Sequence, residues 1–219
     1  NALAVFQRNE ATGKLMFVEV HKDGGGTAPD GLAGASSVTL SSDGLHVYVT
    51  ALYDDAVTYF SRDAATGRLT YIRLLKDGVN GVDGLDAAQS ATVSPDGSHV
   101  YVTASNDDAV AIFARNVTTG ELSYSGVIRT NLDGAIAAAM SADGQHLYVA
   151  SELNNSLVLF SRDAGTGALT YVARYQDNAS GGSYTALAYA RAVAIGPDDR
   201  HVYVAARNDD ALNVFERNA

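Results

Sequence analysis

The chain has 219 residues, of which 47% are hydrophobic, with a formal net charge of −10 and no cysteine. This length is enough to bury a substantial core, and we expect a single domain over residues 1–219. The negative charge argues against nucleic acid and anionic membrane surfaces as partners, because both attract clustered Lys and Arg. The sequence has no run of about 18 apolar residues, so it predicts no transmembrane helix. The lack of cysteine excludes disulfides and thiolate metal sites.

The surface composition favours an extracellular or cell-surface location. Asp outnumbers Glu by 20 to 5, and there are only three Lys residues. An Asp-rich chain is typical of a fold with many tight turns, because the Asp side chain bonds to its own backbone there. The first ten residues do not resemble a signal peptide, so we expect that any signal was removed before residue 1.

Two strands are predicted at the start of the chain, within residues 1–22. The segment "ALAVFQR" (Ala2–Arg8) alternates in the manner of a strand and ends in Phe and Arg. It has the pattern of the third strand of each repeat that follows. Residues up to Lys22 form the strand after it.

A four-strand unit is then repeated along the chain. The first strand is short and built from small residues ("SSVTLS"), and a turn such as "SSDG" separates it from the second strand, "HVYV". The third strand is "AVTYFSR", and the fourth, "GRLTYIR", follows a hairpin that ends in Thr-Gly. The later copies begin with "SATVS", "AAAMS" and "AVAIG". No segment shows sustained helical spacing.

The period of this repeat predicts a β-propeller. Each third strand ends at a phenylalanine, and successive ones are 54, 53, 47 and 55 residues apart: Phe6, Phe60, Phe113, Phe160 and Phe215. Four antiparallel strands in about 53 residues describe one propeller blade. We therefore predict an all-β propeller with four repeats in this chain.

The sequence does not decide how the propeller ring closes. We expect the N-terminal strands, residues 1–22, to complete the C-terminal blade of a four-bladed ring, because a propeller must pair its terminal strands. The alternatives are a fragment, or a subunit that self-associates with another copy to complete a larger ring.

The repeat words also resemble a known family. The segment "SPDGSHVYVTASNDDAVAIFARN" (Ser94–Asn116), followed by "TTGELSY", is similar to the YVTN-type repeats of the lactonase-like β-propellers. That family includes enzymes of the 6-phosphogluconolactonase type and many surface proteins. The resemblance covers the whole chain and implies the propeller fold, with lactone hydrolysis as an activity to be tested.

The repeated histidines are interpreted as structural. They stand at the start of every second strand, so they lie in different blades and cannot converge on one metal: His46, His99, His146 and His201. We expect their rings to bond to a turn or to the adjacent blade. His21, on an outer strand, is a weaker candidate ligand.

The acidic pairs between the second and third strands allow two interpretations. They are Asp54–Asp55, Asp107–Asp108 and Asp209–Asp210, with Asn154–Asn155 in the remaining repeat. The first interpretation is turn chemistry, since Asx side chains satisfy backbone amides. The second is a Ca²⁺ site on one rim, because clustered carboxylates suit that ion. The candidate metal ligands are then Asp54, Asp107, Asp209 and, from the adjoining linker, Asp83.

Positions at which the repeats differ suggest a ligand site. At the entry to the innermost strand three repeats have Ser36, Gln89 and Ile136, whereas the last repeat has Arg191. The rim turns differ at Tyr53, Glu152 and Arg207, and the linker before Arg191 adds Tyr184 and Tyr189. Arg, Glu and Tyr on one rim suit a carboxylate, a lactone carbonyl or a sugar.

Three functions are compatible with these patterns. The uniform repeats favour a non-catalytic binding or surface-interaction module. The family resemblance, with Arg191, Glu152 and Arg207, gives the alternative of a hydrolase that acts on a small sugar-derived lactone. A multivalent lectin with one carbohydrate site per blade is the second alternative. No G-x-S-x-G nucleophile motif is present, and we predict no certain cofactor.

Overall fold

All regular structure in the computed structural model of this chain, which describes residues 1–24, 30–178 and 183–217, is β-sheet. The first eight strands are β1 (Ala2–Arg8), β2 (Leu15–Lys22), β3 (Ala35–Leu40), β4 (His46–Ala51), β5 (Ala56–Arg62), β6 (Leu69–Lys76), β7 (Ala88–Val93) and β8 (His99–Ala104). The remaining ones are β9 (Ala109–Arg115), β10 (Leu122–Ile128), β11 (Ala135–Met140), β12 (His146–Ser151), β13 (Ser156–Arg162), β14 (Leu169–Gln176), β15 (Ala190–Ile195), β16 (His201–Ala206) and β17 (Ala211–Glu216). No helix among the described residues is long and apolar enough to cross a membrane.

Three complete blades confirm the predicted repeat. Each is an antiparallel sheet of four sequential strands: blade 1 (β3–β6), blade 2 (β7–β10) and blade 3 (β11–β14). Blade 4 has the three strands β15–β17. The first strands of neighbouring blades lie side by side and form the inner layer, with side chains such as Thr39 and Thr92 bonding to the next blade's backbone.

The N-terminal strands do not form the predicted mixed blade. Among the described strands, β1 pairs only with β2, and this two-stranded sheet is separate from blade 4. Leu3 and Val5 of β1 instead pack on the buried cluster that contains Phe60 of blade 1. The backbone amide of Leu69 donates to Glu19 of β2 at 2.6 Å. The apolar face of the hairpin therefore holds it against blade 1.

The second and third strands form the core because both of their faces meet neighbouring blades. All six residues of β4 and of β8 are buried. Side chains from consecutive blades share one apolar cluster, in which Tyr48 and Val57 of blade 1 meet Val100 and Phe113 of blade 2. Such sheet-on-sheet packing makes each blade depend on its neighbours.

A buried arginine at or just after the end of the third strand joins blades 2, 3 and 4 each to the blade before it. In blade 2, Arg115 donates through Nε to the Tyr48 hydroxyl at 2.6 Å and through Nη1 to the Gly97 carbonyl at 2.9 Å. Its Nη2 donates to Asp43 at 3.0 Å and to the His46 ring at 2.8 Å. The Arg115 side chain is 1% exposed. We call this set of contacts the arginine clamp.

The arginine clamp recurs at the next two interfaces. Arg162 of blade 3 bonds to Tyr101, Asp96 and His99 of blade 2. Arg217, which directly follows β17, bonds to Asp143 and to His146 of blade 3. A guanidinium suits this position because its N–H donors lie in one fixed plane and because the group remains charged when it is buried.

The clamp confirms the structural interpretation of three histidines. The rings of His46, His99 and His146 accept a hydrogen bond through Nδ1 from the arginine of the following blade. His201 instead lies 3.6 Å from Asp198 of its own blade. His21 bonds to Glu19 and packs on the Phe60 ring, so it takes part in ordinary packing.

We expect removal of one clamp to destabilise the protein strongly. Arg115→Met keeps the apolar stem but removes the hydrogen bonds that Arg115 donates to Asp43, His46 and Tyr48, so the free energy of unfolding should fall by about 3 kcal/mol. Urea denaturation followed by circular dichroism measures the change. Arg174→Met, an exposed arginine on β14, should cost less than about 0.5 kcal/mol. Equal effects of the two variants would contradict the clamp.

The buried histidines should make stability depend on pH. Burial and the adjacent guanidinium lower the pKa of His46 and of His99. The unfolded chain therefore binds more protons below its own histidine pKa, near 6.5, and the free energy of unfolding falls as pH drops through that value. Hydrogen bonds from Ser41, Leu45 and Arg115 lower the pKa of Asp43 to about 2. Since the unfolded carboxyl titrates near pH 4, a second loss follows between about pH 4 and 2.

Urea denaturation at a series of pH values between about 8 and 2 tests both steps. His99→Gln keeps an oxygen that can accept the arginine bond but does not titrate, so it should reduce the first step and leave the second. An unchanged first step in this variant would show that the buried rings do not cause it.

Candidate functional site at the inner strands

A β-bulge at the start of each first strand sets the direction of the variable side chains. The register shifts after the first residue of β3, β7, β11 and β15, so the second residue of each strand has no partner in the ladder. These second residues are Ser36, Gln89, Ile136 and Arg191. A bulged residue can leave the plane of pairing and present its side chain to a site.

Arg191 and Glu152 form an ion pair between blades 3 and 4. The Nη1 group of Arg191 donates to both carboxylate oxygens of Glu152, at 2.8 and 3.0 Å. The Arg191 side chain is 42% exposed and that of Glu152 is 11% exposed. The arginine therefore faces solvent while its partner is largely covered, as in a binding site with one open side.

Tyr189 and Arg207 flank this pair through the backbone. The amide of Arg207 donates to the Tyr189 carbonyl at 2.9 Å, and the amide of Tyr189 donates to Asn155 at 2.9 Å. Tyr189 has a φ of 56°, and this left-handed conformation belongs to the repeat, since Gly34, Ala87 and Gly134 adopt it at the same position in the other blades. The exposed side chain of Arg207 makes no ion pair with the described residues.

Two of the predicted tyrosines lie elsewhere. The ring of Tyr184 packs on Tyr175 and Phe215, each at 5.5 Å, in the aromatic cluster between β14 and β17. Tyr53 is 74% exposed and stands one position later in its turn than Glu152 does in blade 3. The amide of Leu52 bonds to Gly34 as that of Glu152 bonds to Gly134, whereas the amide of Tyr53 bonds to Ala33. The grouping of Tyr53 with Glu152 and Arg207 was therefore wrong by one residue.

Blade 2 contains a polar pair that was not predicted from the sequence. Gln89 occupies the position of Arg191, and Ser105 occupies that of Glu152. The side-chain amide of Gln89 donates to the Ser105 hydroxyl at 2.9 Å. The signal for this pair in the sequence is that Ser105 and Glu152 both directly follow the second strand of their blades.

The acidic pairs satisfy backbone amides, as the first interpretation predicted. The first residue of a pair bonds within its own blade, for example Asp54 to the amide of Ala33 at 2.7 Å. The second residue is left-handed and bonds to the next blade, for example Asp55 to the amide of Ala87 and Asp108 to that of Gly134. The pairs therefore join blades as well as close turns.

Some of the proposed metal ligands do come together. Asp83 and Asp107 meet Asp77, and their carboxylate oxygens lie within 4.8 Å of one another. Arg129 bonds to both oxygens of Asp83, at 3.1 and 2.8 Å, and lies 3.4 Å from Asp107. This guanidinium lowers the pKa of Asp83, whereas burial and the neighbouring carboxylates raise that of Asp77.

The remaining candidates are dispersed. Asp54 meets Asp23 and Asp30 in a second group of carboxylates, and Asp209 belongs to neither group in the part of the chain that the structure describes. The four predicted ligands therefore do not converge. A Ca²⁺ ion at either group stays a prediction.

Comparison with known proteins identifies the family. The family model described as "Lactonase, 7-bladed beta-propeller" matches residues 1–133 and 129–219, which together span the chain. The chain belongs to this lactonase family. A comparison with curated protein sequences gives no match.

Solved structures of similar fold include two lactonase relatives. The periplasmic gluconolactonase PpgL of Pseudomonas aeruginosa is 26% identical over 99% of this chain and 60% of its own, with a TM-score of 0.74. A Lactobacillus plantarum protein is 20% identical over 98% of this chain and 60% of its own, with a TM-score of 0.78. A protein of Bacteroides uniformis, proposed to be a 6-phosphogluconolactonase, is 17% identical over 99% and 74%, with a TM-score of 0.71. This chain thus spans 60% of the length of two of these proteins.

We expect the Arg191–Glu152 pair to be coupled energetically. Arg191→Gln leaves a largely covered carboxylate without its donor and should lower the free energy of unfolding by about 1–2 kcal/mol. The double variant with Glu152→Gln should lose less than the sum of the two single changes, because neither partner is then left charged alone. Urea denaturation of all four proteins measures the difference. Strict additivity would show that the pair does not form, and Arg207→Gln serves as the exposed control.

Proposed function

We propose that this chain acts on a sugar-derived lactone and hydrolyses its ester bond at the Arg191–Glu152 pair. Membership of the lactonase family supports the reaction class, and the 26% identity to a gluconolactonase supports the kind of substrate. The single observation that carries the assignment to these residues is the ion pair at the bulge of β15, with one open side. The chain spans 60% of that gluconolactonase, so the activity of a whole protein is part of the proposal.

Arg191 has the geometry to bind the lactone carbonyl. Among the described residues its hydrogen bonds run from Nη1 to Glu152, which leaves Nε and Nη2 for another acceptor. Two donors in a fixed plane suit a carbonyl oxygen that becomes negatively charged as water attacks. The ion pair with Glu152 holds the guanidinium in place for this task.

Glu152 would act as the general base. Its carboxylate removes a proton from a water molecule while the water oxygen bonds to the carbonyl carbon. The ester bond between that carbon and the ring oxygen then breaks, and the ring oxygen takes the proton back from Glu152. The product is the open hydroxy acid, and no further reactant is needed.

Tyr189 and Arg207 flank the pair and could contact the hydroxyls of a sugar ring. Small-molecule sites typically combine a few fixed polar groups of this kind with an apolar wall.

The family favours this function over the non-catalytic module that the repeats first suggested. Family membership also favours lactone hydrolysis over a lectin with one carbohydrate site per blade. The ion pair supports a single site, because Glu152 and Arg191 each replace a different residue type in the other blades. Calorimetric titration with the hydrolysed product distinguishes the three: one site per chain fits the enzyme, about four fit the lectin and none fits the module.

We expect hydrolysis of glucono-δ-lactone above the spontaneous rate, measured by proton release in weakly buffered solution. Glu152→Gln should lower kcat by about 100-fold or more, since it removes the base. Arg191→Gln should lower kcat/KM by a similar factor through loss of oxyanion stabilisation. Arg174→Gln on an outer strand should have no effect. Activity that survives both site variants would place the reaction elsewhere, and no activity in any protein would favour the module.

A further inference from the structure

We propose that the Arg191–Glu152 ion pair joins the inner strands of blades 3 and 4 in the place of hydroxyl bonds that join the inner strands of the other blades. This role does not depend on lactone hydrolysis. It makes the boundary between blades 3 and 4, here called the third boundary, sensitive to salt. The first boundary (blades 1 and 2) and the second boundary (blades 2 and 3) do not share this property.

Threonine hydroxyls join the inner strands at the first boundary. Thr50, near the end of β4, donates to the carbonyl of Gln89, the bulged residue of β7, at 3.0 Å. Thr39 of β3 donates to the carbonyl of Ala91 at 2.7 Å. Two side chains of blade 1 therefore hold the backbone of the first strand of blade 2 at two points.

The second boundary has the same two bonds. Thr103 of β8 donates to the carbonyl of Ile136, the bulged residue of β11, at 3.0 Å. Thr92 of β7 donates to the carbonyl of Ala138, also at 3.0 Å. Since a bulged residue has no partner in its own ladder, the bond from the preceding blade helps to fix its backbone.

Alanines replace both threonines at the third boundary. Ala150 of β12 stands where β4 has Thr50 and β8 has Thr103, and Ala139 of β11 stands at the position of the other threonine. Within the described part of the chain, no side chain of β11 or β12 donates to the backbone of β15. Ala150 is fully buried in an apolar cluster with Ala190. The bulge of β15 thus lacks the hydroxyl bond from the blade before it.

The ion pair spans the same gap. Glu152 directly follows β12, two residues after Ala150, and both of its carboxylate oxygens accept from Nη1 of Arg191, the bulged residue of β15. The corresponding residues at the first and second boundaries are uncharged: Leu52 with Gln89, and Ser105 with Ile136. The charged bond therefore stands at the boundary that lacks the hydroxyl bonds.

The other polar contacts across the third boundary belong to the repeat and do not replace the threonines. Arg217 forms the arginine clamp at the opposite end of β12. Asn155 accepts from the amide of Tyr189 at 2.9 Å, and Asp55 makes the same bond with blade 2. Neither bond reaches β15 itself.

The kind of bond decides how each boundary responds to salt. The bonds from Thr50 and Thr103 are neutral, and both side chains are fully buried. Arg191 is 42% exposed, and dissolved ions weaken an ion pair that solvent can reach. We therefore expect salt to loosen β15 while β7 and β11 stay as they are.

Hydrogen exchange followed by mass spectrometry on the intact chain tests the proposal. Glu152→Gln should raise the exchange rate of peptides that contain β15 by about tenfold, because the strand loses a charged hydrogen bond to blade 3. Peptides of β7 and β11 should exchange as before. Raising NaCl to about 0.5 M should act on the unmodified chain in the same direction, and the Glu152→Gln variant should show no such response.

Ala150→Thr restores the missing hydroxyl and provides the matched test. The new side chain should donate to the Arg191 carbonyl, so adding Glu152→Gln should then raise exchange of β15 by less than about threefold. Ala150→Val has the shape of threonine without the donor, and in this control Glu152→Gln should keep its full effect. If the larger side chains disturb the packing, Ala150→Ser supplies the donor in less space.

Two results would overturn the proposal. One is exchange of β15 that Glu152→Gln leaves unchanged, and the other is equal protection of β15 by threonine and valine at position 150. Because the measurement uses no substrate, a failure of the proposed lactone hydrolysis would leave its results standing. An active lactonase whose β15 does not respond to Glu152→Gln would reject the role of the ion pair at the boundary alone.

Discussion

The arginine clamp is the contact on which the rest of the structure depends. A propeller blade buries both faces of its middle strands, and apolar packing alone would allow neighbouring blades to slide. The guanidinium of Arg115 meets a tyrosine, a histidine and an aspartate that are all fixed on the previous blade. Such directional bonds set the register between sheets, whereas the apolar cluster supplies most of the favourable free energy.

These separate roles of the polar and apolar contacts explain why histidine and tyrosine alternate with valine in the second strand. His46 and Tyr48 point to the same face because the side-chain period of a strand is two. Their neighbours Val47 and Val49 point to the other face and pack on Phe60. The repeated segment "HVYV" therefore gives the second strand two different faces, each of which packs on a different neighbour. The same fixed inner strands place Arg191 beside Glu152 across a blade boundary.

Most of the fold could be predicted from the sequence because its signals are local. Period-two strands, Asp-Gly turns and the spacing of the phenylalanines define the sheets without any long-range information. The position of the β1–β2 hairpin could not be predicted in this way, because β1 and β17 have the same sequence pattern. Contacts such as that of Glu19 with Leu69 decide which blade the hairpin packs against. The site was recognised in part. Arg191 and Glu152 stood out as exceptions to the repeat, but their contact depends on the bulge of β15, which has no mark in the sequence.

That bulge has a consequence for how such a protein can change. The side chain at the second position of each inner strand takes no part in the ladder, and Ser, Gln, Ile and Arg all occur there on the same backbone. A change of side chain at these positions therefore leaves the pairing of the inner strand intact. Each blade thus offers one position at which the side chain can change while the backbone of the repeat stays the same.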